Sequence, residues 1–196
     1  TVLDGSIVEG NAAAIHGQGP ASGAENNAGG WIENFGVIRN ISGASTDLAI
    51  SGDKVGMTIS NRGLMVGTVS LGEFEDGVHN YGIWNTAGGT NDFGPGATSP
   101  AGDYLNFLHN YEYGTIIAAA AGASAPVTTT FNRVGMMANA GVLQMQNGVA
   151  GDRTVVDGDY NGVGFASDEE IPEWLDYYGG TGMPGTFHRG GGVPPP

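Results

Sequence analysis

The sequence predicts an all-β protein, a right-handed parallel β-helix built from short strands, and two observations carry that prediction. Glycine contributes 37 of the 196 residues, against a usual share of about 7%, and it lacks the Gly-X-Y period of collagen. The phrase Asn-x-Gly recurs between short apolar runs, a pattern typical of strands that end in tight turns. So much glycine also disfavours long helices.

The Asn-x-Gly phrase predicts the corner of each turn of the coil. Its clearest copies contain Asn34, Asn61, Asn80 and Asn139, and a looser copy contains Asn110. The uneven spacing of these copies would disrupt a helical repeat, whereas a coiled sheet accommodates extra residues as loops. Because Asn and Gly both tolerate positive φ, we expect this phrase to turn the chain between two strands. One corner per turn would stack the asparagines into a ladder.

A bend inside one turn is predicted at Gly67. The apolar residues Leu64 and Val66 precede this glycine, and Val69 and Leu71 follow it, so the apolar pattern changes parity. A flat strand cannot change parity without placing a side chain on the wrong face, whereas a bend allows it. The parity change and the repeated corners argue against the alternative fold, an antiparallel sandwich.

The two ends of the chain differ from the repeats. Residues 6–8 are predicted to form a strand and residues 16–30 a loop. We expect residues 1–166 to form the β-helix, and residues 167–196 to form a short capping helix followed by an irregular Gly- and Pro-rich tail. Ser167 and Glu170 form a capping box at the start of that helix, and its apolar stripe would cover the last turn of the coil.

The charge of the chain limits its partners. The net charge is −14 with only six Lys and Arg residues, too few to form a phosphate-binding patch, so nucleic acid is excluded as a partner. Binding to an anionic membrane is disfavoured for the same reason. The absence of cysteine excludes disulfides, thiolate metal sites and cysteine catalysis. No apolar run is long enough for a transmembrane helix.

Catalytic motifs are absent from the sequence. The four histidines, His16, His79, His109 and His188, form no H-E-x-x-H zinc motif. His79 and His109 each precede an asparagine of the repeat and are predicted at solvent-facing turns. Parallel β-helices also include polysaccharide lyases and glycosidases, so a carbohydrate-active enzyme remains an alternative. Its carboxylates would come from the acidic residues of the coil, namely Glu73, Glu75, Asp76, Asp92 and Asp103.

A second alternative is a calcium-dependent interaction module near the C-terminus. Asp157, Asp159, Asn161 and Asp168 fall at positions 1, 3, 5 and 12 of an EF-hand-like loop. A frame that starts at Asp159 places Glu170 at position twelve instead. Calcium is the one cofactor that the sequence suggests, and no other cofactor is expected.

Residues 147–162 carry a resemblance to a known family. From Asn147 they run Asn-Gly-Val-Ala-Gly-Asp-Arg-Thr-Val-Val-Asp-Gly-Asp-Tyr-Asn-Gly, which resembles the motif that closes many passenger segments of bacterial autotransporters. The resemblance extends less specifically over residues 32–164. It implies a parallel β-helix that is secreted or displayed on a bacterial surface. The membrane barrel that follows the passenger in that family is not present in the sequence.

The expected function is therefore structural or adhesive rather than enzymatic. A rigid β-solenoid would display loops as an adhesin does, or would stack end to end into a fibre through an open sheet edge. The expected partners are other copies of the chain, neighbouring surface proteins or polysaccharide.

Overall fold

The computed structural model describes residues 1–19, 29–42, 48–86, 88–95, 105–119, 124–145, 149–157 and 185–187. Within these ranges the chain forms 18 β-strands and no helix. The all-β prediction is confirmed. The capping helix predicted from residue 167 lies outside the described residues.

The strands form three sheets. Sheet 1 contains β1 (Ile7–Gly10), β4 (Val37–Asn40), β7 (Leu64–Val66), β10 (Ile83–Asn85), β13 (Thr115–Ala119) and β16 (Val142–Met145). Sheet 2 contains β2 (Ala13–Gln18), β5 (Leu48–Asp53), β8 (Thr68–Ser70), β11 (Thr90–Asp92), β14 (Thr128–Asn132), β17 (Arg153–Asp157) and β18 (Gly185–Phe187). Sheet 3 contains β3 (Gly30–Asn34), β6 (Met57–Asn61), β9 (Gly77–Asn80), β12 (Phe107–Asn110) and β15 (Met136–Asn139).

From β1 to β17 the chain visits sheets 1, 2 and 3 in the same order in every turn. Strands β4 to β14 each pair in parallel with the strands three places before and after them along the chain, as β6 does with β3 and β9, and the strands of the first and last turns pair in this way on one side only. This is a coil with three strands per turn, consistent with the predicted parallel β-helix. The antiparallel sandwich is excluded as the architecture of these residues.

The core is arranged in columns because parallel strands in register place equivalent side chains above one another. Sheet 1 contributes Ile38, Met65, Trp84 and Ile116, which are register partners and fully buried. Sheets 2 and 3 contribute the other apolar columns, formed by Ile50 with Val69, by Phe131 with Val156, and by Ile59 with Val78, Leu108 and Met137. Burial of these side chains is the main source of stability.

Three local predictions need correction. Residues 16–18 belong to strand β2 rather than to a loop. The irregular C-terminal tail contains β18, which pairs antiparallel with β17. The bend predicted at Gly67 is present, with φ of 117°, but the prediction that the inward-facing residues change parity there is wrong. Met65, and not Leu64 or Val66, is the fully buried residue of β7, so the inward side chains keep one parity across the bend.

Candidate functional site

The asparagines of the repeat form one row along the coil. Asn34, Asn61, Asn80, Asn110 and Asn139 end the five strands of sheet 3 and are direct register partners. The side-chain amide nitrogen Nδ2 of each donates a hydrogen bond to Oδ1 of the next, at 2.8, 2.7, 2.7 and 2.7 Å. The four asparagines that the sequence predicts as a ladder thus lie together, with Asn110 as a fifth member.

The row also joins sheet 3 to sheet 1. The second amide proton of Asn34 bonds the carbonyl oxygen of Leu64, and Asn61 makes the same bond to Ile83. These carbonyls begin the sheet 1 strands of the following turn, so each asparagine fixes the corner beyond it. The side chains of Asn34, Asn61 and Asn80 are fully buried, and buried amides that satisfy both their donors and their acceptor hold one geometry.

The corner glycines are required for close packing rather than for positive φ. A Cβ atom at Gly63 would overlap the carbonyl oxygen of Gly36, and one at Gly82 would overlap that of Gly63. Glycines with positive φ occur elsewhere, for example at Gly67 and Gly94, and no corner asparagine has a positive φ. The left-handed conformation predicted for the Asn-x-Gly phrase is therefore wrong. Glycine is needed because the neighbouring turn lies against its Cα atom.

A second buried polar column lies at the start of the sheet 3 strands. Oδ1 of Asp76 accepts a hydrogen bond from the Met57 amide at 2.6 Å, and the Asp76 amide donates to Oδ1 of Asn106 at 2.9 Å. The other carboxylate oxygen, Oδ2, is buried without a hydrogen-bond partner. Burial raises the pKa of Asp76 to about 7, against the opposing effect of backbone amides at Met57 and Gly72. This buried carboxyl group therefore keeps its proton to a higher pH than an exposed aspartic acid does.

The outer surface of sheet 3 carries a group of aromatic and basic side chains, here called the ring cluster. Its members are Arg62, His79, Tyr81, Phe107, His109 and Tyr111. Two members, His79 and His109, are register partners on β9 and β12, so the prediction that they lie at turns is wrong. They are partly buried on strands.

The ring cluster is held by stacking across neighbouring turns. The rings of Tyr81 and Tyr111 are nearly parallel, 4.1 Å apart between centroids, and the Arg62 guanidinium lies 4.4 Å from the Tyr81 centroid. The Phe107 ring lies 4.9 Å from His79 and 5.2 Å from His109. It occupies the space that a side chain at position 77 would fill. Such aromatic and cation–π contacts each contribute about 1 kcal/mol.

One hydroxyl group links the two histidines. The Tyr111 hydroxyl lies 3.1 Å from Nδ1 of His79 and 3.4 Å from Nδ1 of His109. Since a hydroxyl has one proton, it can donate to only one of the two Nδ1 atoms, so at least one of the neutral imidazoles must donate its own Nδ1 proton when both bonds form. Burial lowers the pKa of His79, and burial together with the neighbouring His79 lowers that of His109. Burial, assisted by Tyr81, raises the pKa of Tyr111 to about 12, so all three groups are neutral at pH 7.

Sheet 2 has a polar outer face with an open groove. The groove is lined by Thr68, Ser70, Thr90, Asp92 and Thr128 among others. At Asp92 the carboxylate is occupied, because Arg133 forms a two-point ion pair with it. The groove therefore offers hydroxyl groups to a ligand, but the Asp92 carboxylate in its lining is not free to act in catalysis.

The described structure contains one of the four residues proposed for calcium. Asp157 ends strand β17, while Asp159, Asn161 and Asp168 lie outside the described residues, and the calcium site stays a prediction. Within the described ranges, no three His, Asp or Glu side chains are grouped in a way that could hold a metal ion.

The acidic residues considered for catalysis have different surroundings in the structure. Asp76 is fully buried and Asp92 is paired with Arg133, whereas Asp103 lies outside the described residues. Asp76 and Asp92 are therefore unavailable as free surface carboxylates, whereas Glu73 and Glu75 are exposed.

Comparison of the chain with family sequence profiles, with curated proteins and with solved structures finds no match. Among the residues that the structure describes, there is no helix with the length and apolar character needed to cross a bilayer.

Proposed function

We propose that the chain is a rigid, non-enzymatic structural or adhesive module of a secreted or cell-surface bacterial protein. We propose further that it is a closed, right-handed parallel β-helix of the kind found in autotransporter passengers. The fixed order in which the chain visits the three sheets supports this fold. Parallel strands joined by crossovers are almost always right-handed, which supports the hand.

The asparagine row is the observation that carries this function. It links five successive turns by side-chain hydrogen bonds in addition to the backbone ladder. A buried amide without its partners costs about 1–3 kcal/mol, so the turns resist slipping or opening one at a time. A coil held together in this way suits a spacer or a display surface.

Two assays on the purified chain test this proposal. Digestion with a non-specific protease should leave a stable fragment that contains residues 29–157, because its strands are paired throughout the coil. Incubation with acidic and neutral polysaccharides should release no shorter products. Rapid digestion of the coil would contradict the rigid module, and depolymerisation would favour the carbohydrate-active enzyme.

The N-terminal turn supports an end-to-end version of the same function. Val8, Ile15 and Ile32 point into the coil but are only partly buried, whereas their partners in the next turn, Ile38, Ile50 and Ile59, are fully buried. In the described part of the chain β1 and β2 are the outermost strands of their sheets, whereas in sheet 3 Val2 forms a parallel bridge to Asn34 at the outer edge of β3. An apolar end with sheet edges favours contact with the end of a second copy.

Sedimentation velocity over a hundredfold range of concentration tests the end-to-end version. Stacking predicts species that lengthen with concentration and appear as thin rods by electron microscopy. A sedimentation coefficient that does not change with concentration would remove the fibre and leave the adhesive module. The calcium alternative is tested separately by thermal melting, since a melt unchanged at millimolar calcium would remove it.

A further inference from the structure

The ring cluster has a chemistry that the rigid coil does not need. The coil is stabilised by its apolar core and its asparagine row, which lie inside, whereas the cluster lies on the outer surface of sheet 3. It joins apolar ring surface, two neutral imidazoles and two phenols in one patch that spans neighbouring turns. Such a patch offers both apolar contact and hydrogen bonds to a ligand.

Arg62 gives the patch a positive charge that no carboxylate among the described residues neutralises. Arg39 and Arg133 are each paired with a carboxylate, of Glu9 and Asp92 respectively. In the described part of the chain, no carboxylate forms an ion pair with Arg62, whose side chain is exposed and rests on Tyr81. A guanidinium held on an aromatic ring keeps its N–H edge available and binds a carboxylate in two-point geometry.

We propose that the ring cluster binds an acidic saccharide, with a uronate carboxylate on Arg62 and the sugar ring against the aromatic side chains. The C–H groups of a pyranose carry partial positive charge and pack against aromatic rings, whose faces are negative. The sugar hydroxyls both donate and accept hydrogen bonds, as do neutral His79, His109 and Tyr111. The proposal rests on the adhesive function and names its ligand class.

A simple polyanion is a poorer fit than a saccharide. Arg62 is the one permanently charged group of the cluster, and the net charge of the chain is −14. Exposed Glu112 directly follows Tyr111 in the chain, so a second anionic group would be repelled at that end of the cluster. A ligand with one carboxylate on a sugar ring, which carries both hydroxyl groups and apolar C–H groups, therefore matches the patch as a whole.

Calorimetric titration of the purified chain with a short galactose oligomer that ends in a single galacturonate tests the proposal, in the presence of a chelator so that calcium plays no part. Binding is expected for the uronate and is expected to be at least tenfold weaker for the neutral galactose oligomer and for polyacrylate. Arg62→Gln should weaken binding about tenfold or more, since it removes a charge-assisted hydrogen bond. Arg39→Gln, on the outer surface of sheet 1, is the matched control and should change binding less than twofold.

Several outcomes would overturn the proposal. These are no binding of the uronate, equal binding of polyacrylate, or equal loss of binding in Arg62→Gln and Arg39→Gln. Thermal melts of both variants establish that the coil is intact, which is expected because both side chains are exposed. Failure here would leave protease resistance unchanged, so it would remove the saccharide site without removing the rigid module.

Discussion

The stability of the coil depends on pH through the buried carboxyl group of Asp76. Its carboxyl group is fully buried, one of its oxygens has no hydrogen-bond partner, and its pKa is raised from 3.8 to about 7. Between about pH 4 and pH 7 the folded state therefore binds a proton that the unfolded state releases. Stability contributed by this group is fully present below about pH 4 and is lost as the pH rises to 7.

The Asp76→Asn variant should remove that loss. At pH 8 it should be more stable than the wild type by an amount of the order of 2–4 kcal/mol, and the difference should shrink towards pH 4. Urea unfolding at several pH values measures it. His79 and His109 contribute a slope of opposite sign below about pH 6.5, so the variant is compared with the wild type at each pH. Exposed Asp4→Asn is the control and should behave like the wild type.

The corner glycines make a second prediction for single residues. Gly82→Ala should destabilise the fold by about 3 kcal/mol or more, because its Cβ atom would overlap the Gly63 carbonyl oxygen and the backbone cannot yield cheaply. Gly30→Ala is the matched control, since its Cβ atom would make only ordinary contacts. Thermal unfolding compares the two. Equal stability of the two variants would show that the turns are less closely packed than described.

The asparagine row stabilises all five strands of sheet 3. Asn80→Ala leaves the Asn61 amide and the Asn110 oxygen without their partners in the interior, and should cost about 2–4 kcal/mol. Asn139→Ala lies at the C-terminal end of the described row and removes one such bond, so it should cost about 1–2 kcal/mol. Chemical unfolding measures both values. A larger loss at Asn139 than at Asn80 would contradict a continuous ladder.

The strands show how far the sequence predicts the fold. The asparagine row can be predicted from the sequence because the same residue recurs at the same corner of each turn. The prediction of an all-β coil follows from that repeat. The ring cluster was missed although His-Asn-Tyr occurs twice, at residues 79–81 and 109–111. Once the asparagines are aligned, their flanking histidines and tyrosines must stack as well. The role of the corner glycines could not be predicted, because the overlapping atom belongs to a different turn.

The errors on other elements have a similar cause. Before Gly67, the inward-facing residue of β7 is either Met65 or both of its neighbours, depending on which face of the strand points into the core. A strand of three residues is too short for its apolar alternation to decide between the two. Asp76 and Asn106 are 30 residues apart in the chain yet directly bonded, and neither belongs to the repeated phrase. A buried polar column made of different residue types leaves no repeated motif in the sequence. Comparison of one part of the chain with another therefore cannot detect it.

At the scale of the whole molecule, consecutive turns stack in parallel and in register. The chain contains no cysteine, so pairs of introduced cysteines report on register without interference. Ser51 and Ser70 are register partners on the outer surface of sheet 2, whereas Thr68 is paired with Leu48. Neighbouring strands bring register partners to about 5 Å between Cα atoms, within the range of a disulfide.

Disulfide formation in two double variants is the most direct test of this stacking. Under mild oxidation, Ser51→Cys with Ser70→Cys should form an intramolecular disulfide nearly completely, and Ser51→Cys with Thr68→Cys should form little. Non-reducing electrophoresis and mass spectrometry of peptides measure both yields. The predicted result is a large excess of the first disulfide with an unchanged fold; equal yields, or an excess of the second, would contradict the parallel, in-register coil.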